Sequence, residues 1–137
     1  MGLRKRKTNV NWTLAPDIKR RVNKLILALN LEFLKKSRIY CFRSKNSASR
    51  AYARIWGLSK IWQKALDQKP AYIIEVLSEK FEKLNFHEQD KVLLHELAHI
   101  PKNFSGSLLP HIRRRGKRNF EDRVRTLMNE YFRRRIN

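Results

Sequence analysis

Residues 95–99 read His95-Glu96-Leu97-Ala98-His99, and no other stretch constrains the fold of this chain as tightly. Side chains at i and i+4 meet on one face only if the backbone between them is helical. Two imidazoles so placed can grip one metal ion, and the glutamate after the first stands beside any water on that ion. This is the H-E-x-x-H pattern of zinc peptidases, with the glutamate as general base. A chain carrying it needs a helix packed on its back, with two His and a Glu presented to a cleft.

The flanking residues define that helix. Asn85 is a cap and Glu88, three residues on, closes a capping box. Pro101 ends the helix, because the residue before a proline resists helical geometry; His99 then falls in the last full turn. Leu93, Leu97 and Ile100 share the side expected to be buried. Val92, His95 and His99 share the opposite side, with Glu96 on its flank.

Catalytic zinc sites usually take three protein ligands and leave a position for water. The chain has four histidines. His87 lies two turns before His95 on the same rod, too far to share the ion. His111 follows Pro101 and Gly106, whose turns let the chain reverse over the metal. Its spacing is not that of the metzincins, where Ser105 would have to be the third His. Glu121 or Asp122 is the rival ligand, although acids in the first turn of a helix are explained equally by the helix dipole.

Around this centre the pattern is α+β. Pro16 and Asp17 suit a helix start, and Ile18, Val22, Leu25, Ile26, Leu29 and Phe33 form a stripe predicting a helix from about Pro16 to Lys35. Residues 38–43, 51–56 and 71–77 read as strands, the last opened by Pro70, with a short helical or irregular crossover over 58–66. A last helix, about 118–137, carries the stripe Phe120, Val124, Leu127, Met128 and Tyr131. The expectation is one domain over 1–137: an N-terminal helix, a small three-stranded sheet, an active-site helix and a C-terminal helix, preceded by a basic arm over 1–12.

Composition narrows the setting. The single cysteine, Cys41, excludes an internal disulfide framework. Residues 1–11 lack the apolar core of a signal peptide, and no apolar run is long enough to span a bilayer, so an intracellular (cytoplasmic) protein with no membrane partner is expected. The net charge is +20, concentrated in Arg4-Lys5-Arg6-Lys7, Arg113-Arg114-Arg115, Lys117-Arg118 and Arg133-Arg134-Arg135. Such clusters license non-specific association with nucleic acid. That makes a nucleic-acid-associated protein, either a binding module or a protease acting on DNA-bound proteins, the alternative to a peptidase reading.

The run His95-Glu96-Leu97-Ala98-His99-Ile100-Pro101-Lys102-Asn103-Phe104-Ser105-Gly106, continued through Pro110-His111, resembles the H-E-L-x-H-I-P-x-x-F-x-G…H block of metallopeptidases found in phages and archaea. Tyr72-Ile73-Ile74-Glu75-Val76, Phe81 and Leu84 resemble that family too, so the likeness covers roughly residues 38–112. It implies a minimal zincin fold, zinc at His95, His99 and His111, Glu96 as the catalytic residue, and a peptide or protein substrate. A more distant similarity is to SprT-like proteases. In zincins the substrate lies along an edge strand as an added strand; by that analogy Tyr72 to Leu77 is the expected platform, with Tyr72, Ile74 and Val76 as substrate-binding residues. Tyr131, Arg113 and Arg114 are candidates for a second oxyanion donor.

Overall fold

The computed structural model describes residues 9–35, 38–111 and 120–136. Its elements run β1 (Asn11–Leu14), α1 (Pro16–Ala28), a 3₁₀ turn (Glu32–Leu34), β2 (Ile39–Lys45), β3 (Ala53–Gly57), α2 (Lys60–Leu66), β4 (Tyr72–Leu77), α3 (Ser78–Phe81), α4 (Phe86–Leu97) and α5 (Phe120–Ile136). The fold is α+β, as expected, but the sheet has four strands rather than three. The order is β1-β2-β4-β3, with β1 and β3 antiparallel to their neighbours and β2 parallel to β4.

The extra strand lies in what reads as a basic arm. Every residue of β1 is exposed, so it has none of the in–out alternation by which a strand shows itself in sequence. It is held by its ladder to β2, prolonged by Ala15 N–H donating to Cys41 O at 3.0 Å.

The first helix is shorter than its apolar stripe. Asn30 takes a left-handed conformation (φ 52°), its N–H donates to Leu27 O and the Leu31 N–H donates to Ile26 O. This paired 5→2 and 6→1 closure is a Schellman stop. Ile18, Val22, Leu25 and Ile26 are buried as the stripe requires.

The sheet corrects the expected substrate platform. β4 is paired on both sides, so its main chain has no free edge. Tyr72, Ile74 and Val76 are buried in the core rather than open to a substrate. The sequence pattern could not separate a central strand from an edge, because pairing order is set by contacts far apart in the chain. The edges are β1 and β3, and β3 packs beside α4.

The core lies between one sheet face and the helices. Ile39, Cys41, Ala53, Tyr72, Ile74 and Val76 from the sheet meet Val22 and Leu25 of α1, Leu93, Leu94 and Leu97 of α4, and Val124, Met128 and Tyr131 of α5. Two ion pairs tie this arrangement together. Arg21 on α1 bonds Asp90 on α4 at 2.8 Å, with Gln89 at 2.7 Å and the Phe86 ring under its guanidinium. Arg43 on β2 makes two 2.5 Å bonds to Asp17 in the first turn of α1.

The Arg43 hydrogen bonds hold the Asp17 carboxyl down at about 2, outweighing the opposing effect of burial. Its ionised form therefore stabilises the fold above the ordinary carboxylate pKa, and that contribution drains away as pH falls from about 4 to about 2. Asp17→Asn is expected to flatten the acid limb of a melting-temperature profile across that window. Because the pair is half exposed, the variant should cost no more than about 1 kcal/mol at pH 7. An acid limb unchanged from the parent protein would show that the pair does not stabilise the fold.

Candidate metal centre

The helix α4 forms where its local signals place it. The Asn85 side chain accepts from Glu88 N–H at 2.8 Å and the Glu88 carboxylate accepts from Asn85 N–H at 3.4 Å, a capping box. At the other end regular helix stops at Leu97, and a tighter turn follows: His99 N–H donates to Glu96 O and Ile100 N–H to Leu97 O, both at 3.1 Å. His99 thus sits on a 3₁₀-type closing turn rather than inside the last α-helical one. Leu93, Leu97 and Ile100 are buried as expected, but so are Glu96 and His99. The first turn of the helix, Phe86–Glu88, and Lys91 are exposed, but from Val92 on no residue of it is, so its C-terminal half is enclosed on most sides.

The third histidine arrives on the segment after Pro101, and four contacts fix the path of that segment. Tyr72 is central: its hydroxyl accepts from Gly106 N–H at 2.8 Å and donates to Ser107 O at 2.7 Å, and its ring meets Phe104 edge-on. Gln63 on α2 donates to Ser105 O at 2.8 Å and to Leu58 O at 2.6 Å. Gly57 and Gly106 touch backbone to backbone; a methyl group on Gly57 would run into Gly106 O, and Gly106 has φ +95°, so both positions call for glycine. Finally, Leu109 N–H donates to His99 O at 2.7 Å while His99 Nδ1 meets Leu109 O at 2.5 Å.

That last contact has a chemical consequence. A carbonyl only accepts, so Nδ1 of His99 carries the proton and Nε2 keeps its lone pair for a cation. Two residues after Leu109 comes His111. The structure brings His95, His99 and His111 together, with one ligand atom of each within 4.8 Å of the others and ring centroids 4.4–5.2 Å apart. Imidazole nitrogens sit about 2.0–2.1 Å from zinc, so two on one tetrahedral ion are about 3.4 Å apart. The cluster would close by up to about 1.4 Å to share one ion. Three imidazoles converging in a chain of charge +20 suit a cation that they share, and the donor set fits a divalent transition metal.

Glu96 shares a cleft of about 540 Å³ with His99 and His111, whose other walls are Ala53–Trp56 of β3 and Leu108–Pro110. Glu96 is 8% exposed. Burial pushes its carboxyl up to about 7, and a cation beside it would draw it back down.

The remaining candidates fall elsewhere. His87 stacks on Phe132, ring centroids 3.9 Å apart. Asp122, the rival ligand, bonds Arg125 in its own helix and is not part of the metal cluster found among the described residues; the Glu121 side chain lies outside the described residues. Tyr131 is buried in the core, and Arg113 and Arg114 also lie outside the described residues, as do Arg4–Lys7, Lys117, Arg118 and the side chains of Arg134 and Arg135. Sequence reasoning missed Gly57, Gln63, Tyr72 and Leu109 as the residues that set the His111 segment. Of these only Gly57 carries a local signal, and nothing in its spacing pairs it with Gly106.

A family model described as Putative phage metallopeptidase matches residues 10–130. No match was found among curated proteins or among solved structures.

The clustering separates the histidines experimentally. His111→Ala is expected to weaken divalent-metal binding by more than about 100-fold, beyond what loss of an outer-shell partner costs, whereas His87→Ala leaves it unchanged. Competition with a chromophoric chelator measures both, and equal affinity in the two variants would remove His111 from the site.

Proposed function

The chain belongs to the phage metallopeptidase family, and from that premise we propose that it is a zinc-dependent peptidase in which His95, His99 and His111 hold the metal and Glu96 is the general base. The single observation that carries the reading is the convergence of three imidazoles, two of which line one cleft with a buried carboxylate. Membership implies a metal and a peptide or protein substrate; zinc is the reading best suited to a set of three nitrogen ligands with a position left for water. When bound, zinc would lower the pKa of its water to about 7 and polarise the scissile carbonyl.

The protein's own groups do the rest. The Glu96 carboxylate takes the proton of the attacking water and passes it to the leaving amine. Its burial removes competing bulk water from that transfer. The Leu109 carbonyl keeps the His99 ring in one tautomer and one orientation, as outer-shell partners of metal-bound histidines do.

The substrate platform passes from β4 to β3. One edge of β3 is taken by β4 and its other edge is unpaired among the described residues, and Ala53, Arg54, Ile55 and Trp56 line the same cleft as Glu96, His99 and His111. A peptide added along β3 would be held by main-chain hydrogen bonds, with little demand on sequence. Arg54 and Trp56 then offer it a cation and an aromatic ring from the same strand. No helix among the described residues is long and apolar enough to cross a membrane.

Glu96→Gln is expected to retain zinc at parental stoichiometry while cleavage of an unfolded protein substrate falls by at least about 100-fold, the usual reach of general-base catalysis. A chelator should abolish cleavage by the parent, with zinc restoring it. Parental cleavage rates in the metal-loaded Glu96→Gln variant would overturn the assignment of the base.

A further inference from the structure

The face of the sheet turned away from the core is aromatic, and open except at Ser44, Leu77 and Glu75, which are buried. Cross-strand register places its side chains in three rungs: Trp12, Ser44 and Leu77; then Leu14, Phe42, Glu75 and Arg54; then Tyr40, Ile73 and Trp56. Among the described residues Trp12 remains 56% exposed, Trp56 49% and Tyr40 44%. Single exposed aromatics are ordinary, but several on one sheet face form a patch of the kind that marks a binding surface.

The two indoles are also fixed in place. Glu75, 1% exposed, accepts from Trp56 Nε1 at 2.9 Å, from Trp12 Nε1 at 3.3 Å and from Arg54 at 3.2 Å. A buried carboxylate thus anchors a tryptophan from each outer strand. Between them lies a slot of about 360 Å³ lined by Trp12, Phe42, Trp56, Ile73 and Glu75, and the Arg54 guanidinium lies 5.1 Å from the Trp56 ring centroid. Rigid rings with an apolar slot between them lose little entropy when a flat ligand stacks on them.

Charge decides what kind of flat ligand. The chain carries +20, and Arg4-Lys5-Arg6-Lys7 precedes Trp12 by five residues, so four consecutive cations lead into the strand that bears the first indole. Exposed rings on a chain this basic supply the two components of single-strand binding: stacking on bases and attraction of phosphates. We propose that the outer sheet face is a binding platform for single-stranded DNA, with bases stacked on Trp12, Tyr40 and Trp56. The slot between the rings is lined by apolar side chains and by a carboxylate that already holds both indoles, a floor suited to deoxyribose rather than to a 2′-hydroxyl. Trp56 also lines the metal cleft, so a strand on this face would pass around the β3 edge from the three imidazoles. The proposal does not depend on peptidase activity.

The test is fluorescence anisotropy of a labelled twenty-nucleotide oligo(dT) titrated with the full chain. Binding should weaken steeply as salt rises. Trp12→Ala, Trp56→Ala and Tyr40→Ala should each weaken it about fivefold or more, the effect of losing one stacked base. Trp62→Ala, which removes an exposed indole carried by α2 rather than by the sheet, should leave it unchanged. If Trp56→Ala melts early, Tyr40→Ala, which is not one of the Glu75 donors, decides. Equal affinity across all variants would reduce the binding to undirected charge attraction and overturn the platform, as would a DNA duplex binding as tightly as the single strand. Tighter binding of oligo(U) than oligo(dT) would overturn the choice of DNA. A dimer that Trp12→Ala converts to monomer would assign the face to a second copy of the chain instead.

Discussion

The reciprocal contact between His99 and Leu109 holds the three-histidine cluster together. One backbone N–H donates to the carbonyl of the histidine, and the histidine ring returns a hydrogen bond to the carbonyl of the leucine. With that pair closed, the segment after Pro101 cannot swing away from α4, and His111 is confined to the neighbourhood of His95 and His99. The other restraints on the segment all act upstream of it. Tyr72 grips residues 106 and 107, Gln63 grips residue 105, and Gly57 lets Gly106 come against β3. An irregular stretch is thereby given the positional accuracy of a regular element, which a three-ligand site requires.

How much of this can be read from the chain follows from the range of the interactions involved. The α4 helix was legible to the residue at its start, because a capping box is closed by groups three residues apart. Its two histidines and glutamate were legible for the same reason. The early stop of α1 was also local, written in Asn30, but an apolar stripe running on to Leu29 and Phe33 outweighs a single asparagine. The pairing of β4 on both sides was not legible. Tyr72, Ile74 and Val76 look the same on a central strand and on a half-covered edge, and only β1, whose residues are all exposed and carry no periodicity, completes the sheet on the far side of β2. The role of Tyr72 was hidden likewise: its hydroxyl acts on residues 34 and 35 positions away.

The exposed faces of the molecule follow from the same topology. With helices on one side, the alternation along β2, β3 and β4 sends Tyr40, Phe42, Trp56 and Ile73 to the other. A solvated sheet face normally carries polar residues there. Here the ring-bearing positions are kept in register by Glu75, and the acid itself is held ionised. Burial alone would raise its pKa, but the Ser44 hydroxyl, the Trp56 indole and the Arg54 guanidinium around it outweigh that and draw it down. An acid under an aromatic surface is costly unless its oxygens are satisfied, and the indoles that satisfy them are the residues it positions.

Glu75 and Glu96 differ in acidity because their immediate surroundings differ, not because of the net charge they share. Both carboxylates are buried in a molecule with 32 basic and 12 acidic side chains. A uniform positive field would lower both pKa values. Instead Glu75 moves down and Glu96 moves up to about 7. Surface cations act through water and are screened within about 8–10 Å, whereas a donor at 2.9 Å acts almost undiminished. Glu75 has such donors; for Glu96 the cause of the shift is burial. Pairs of acids pushed in opposite directions by their surroundings are how a fold assigns one to structure and the other to proton transfer. A single cation among His95, His99 and His111 would be closer to Glu96 than the basic surface is, and it would supply the charge that the surface cannot.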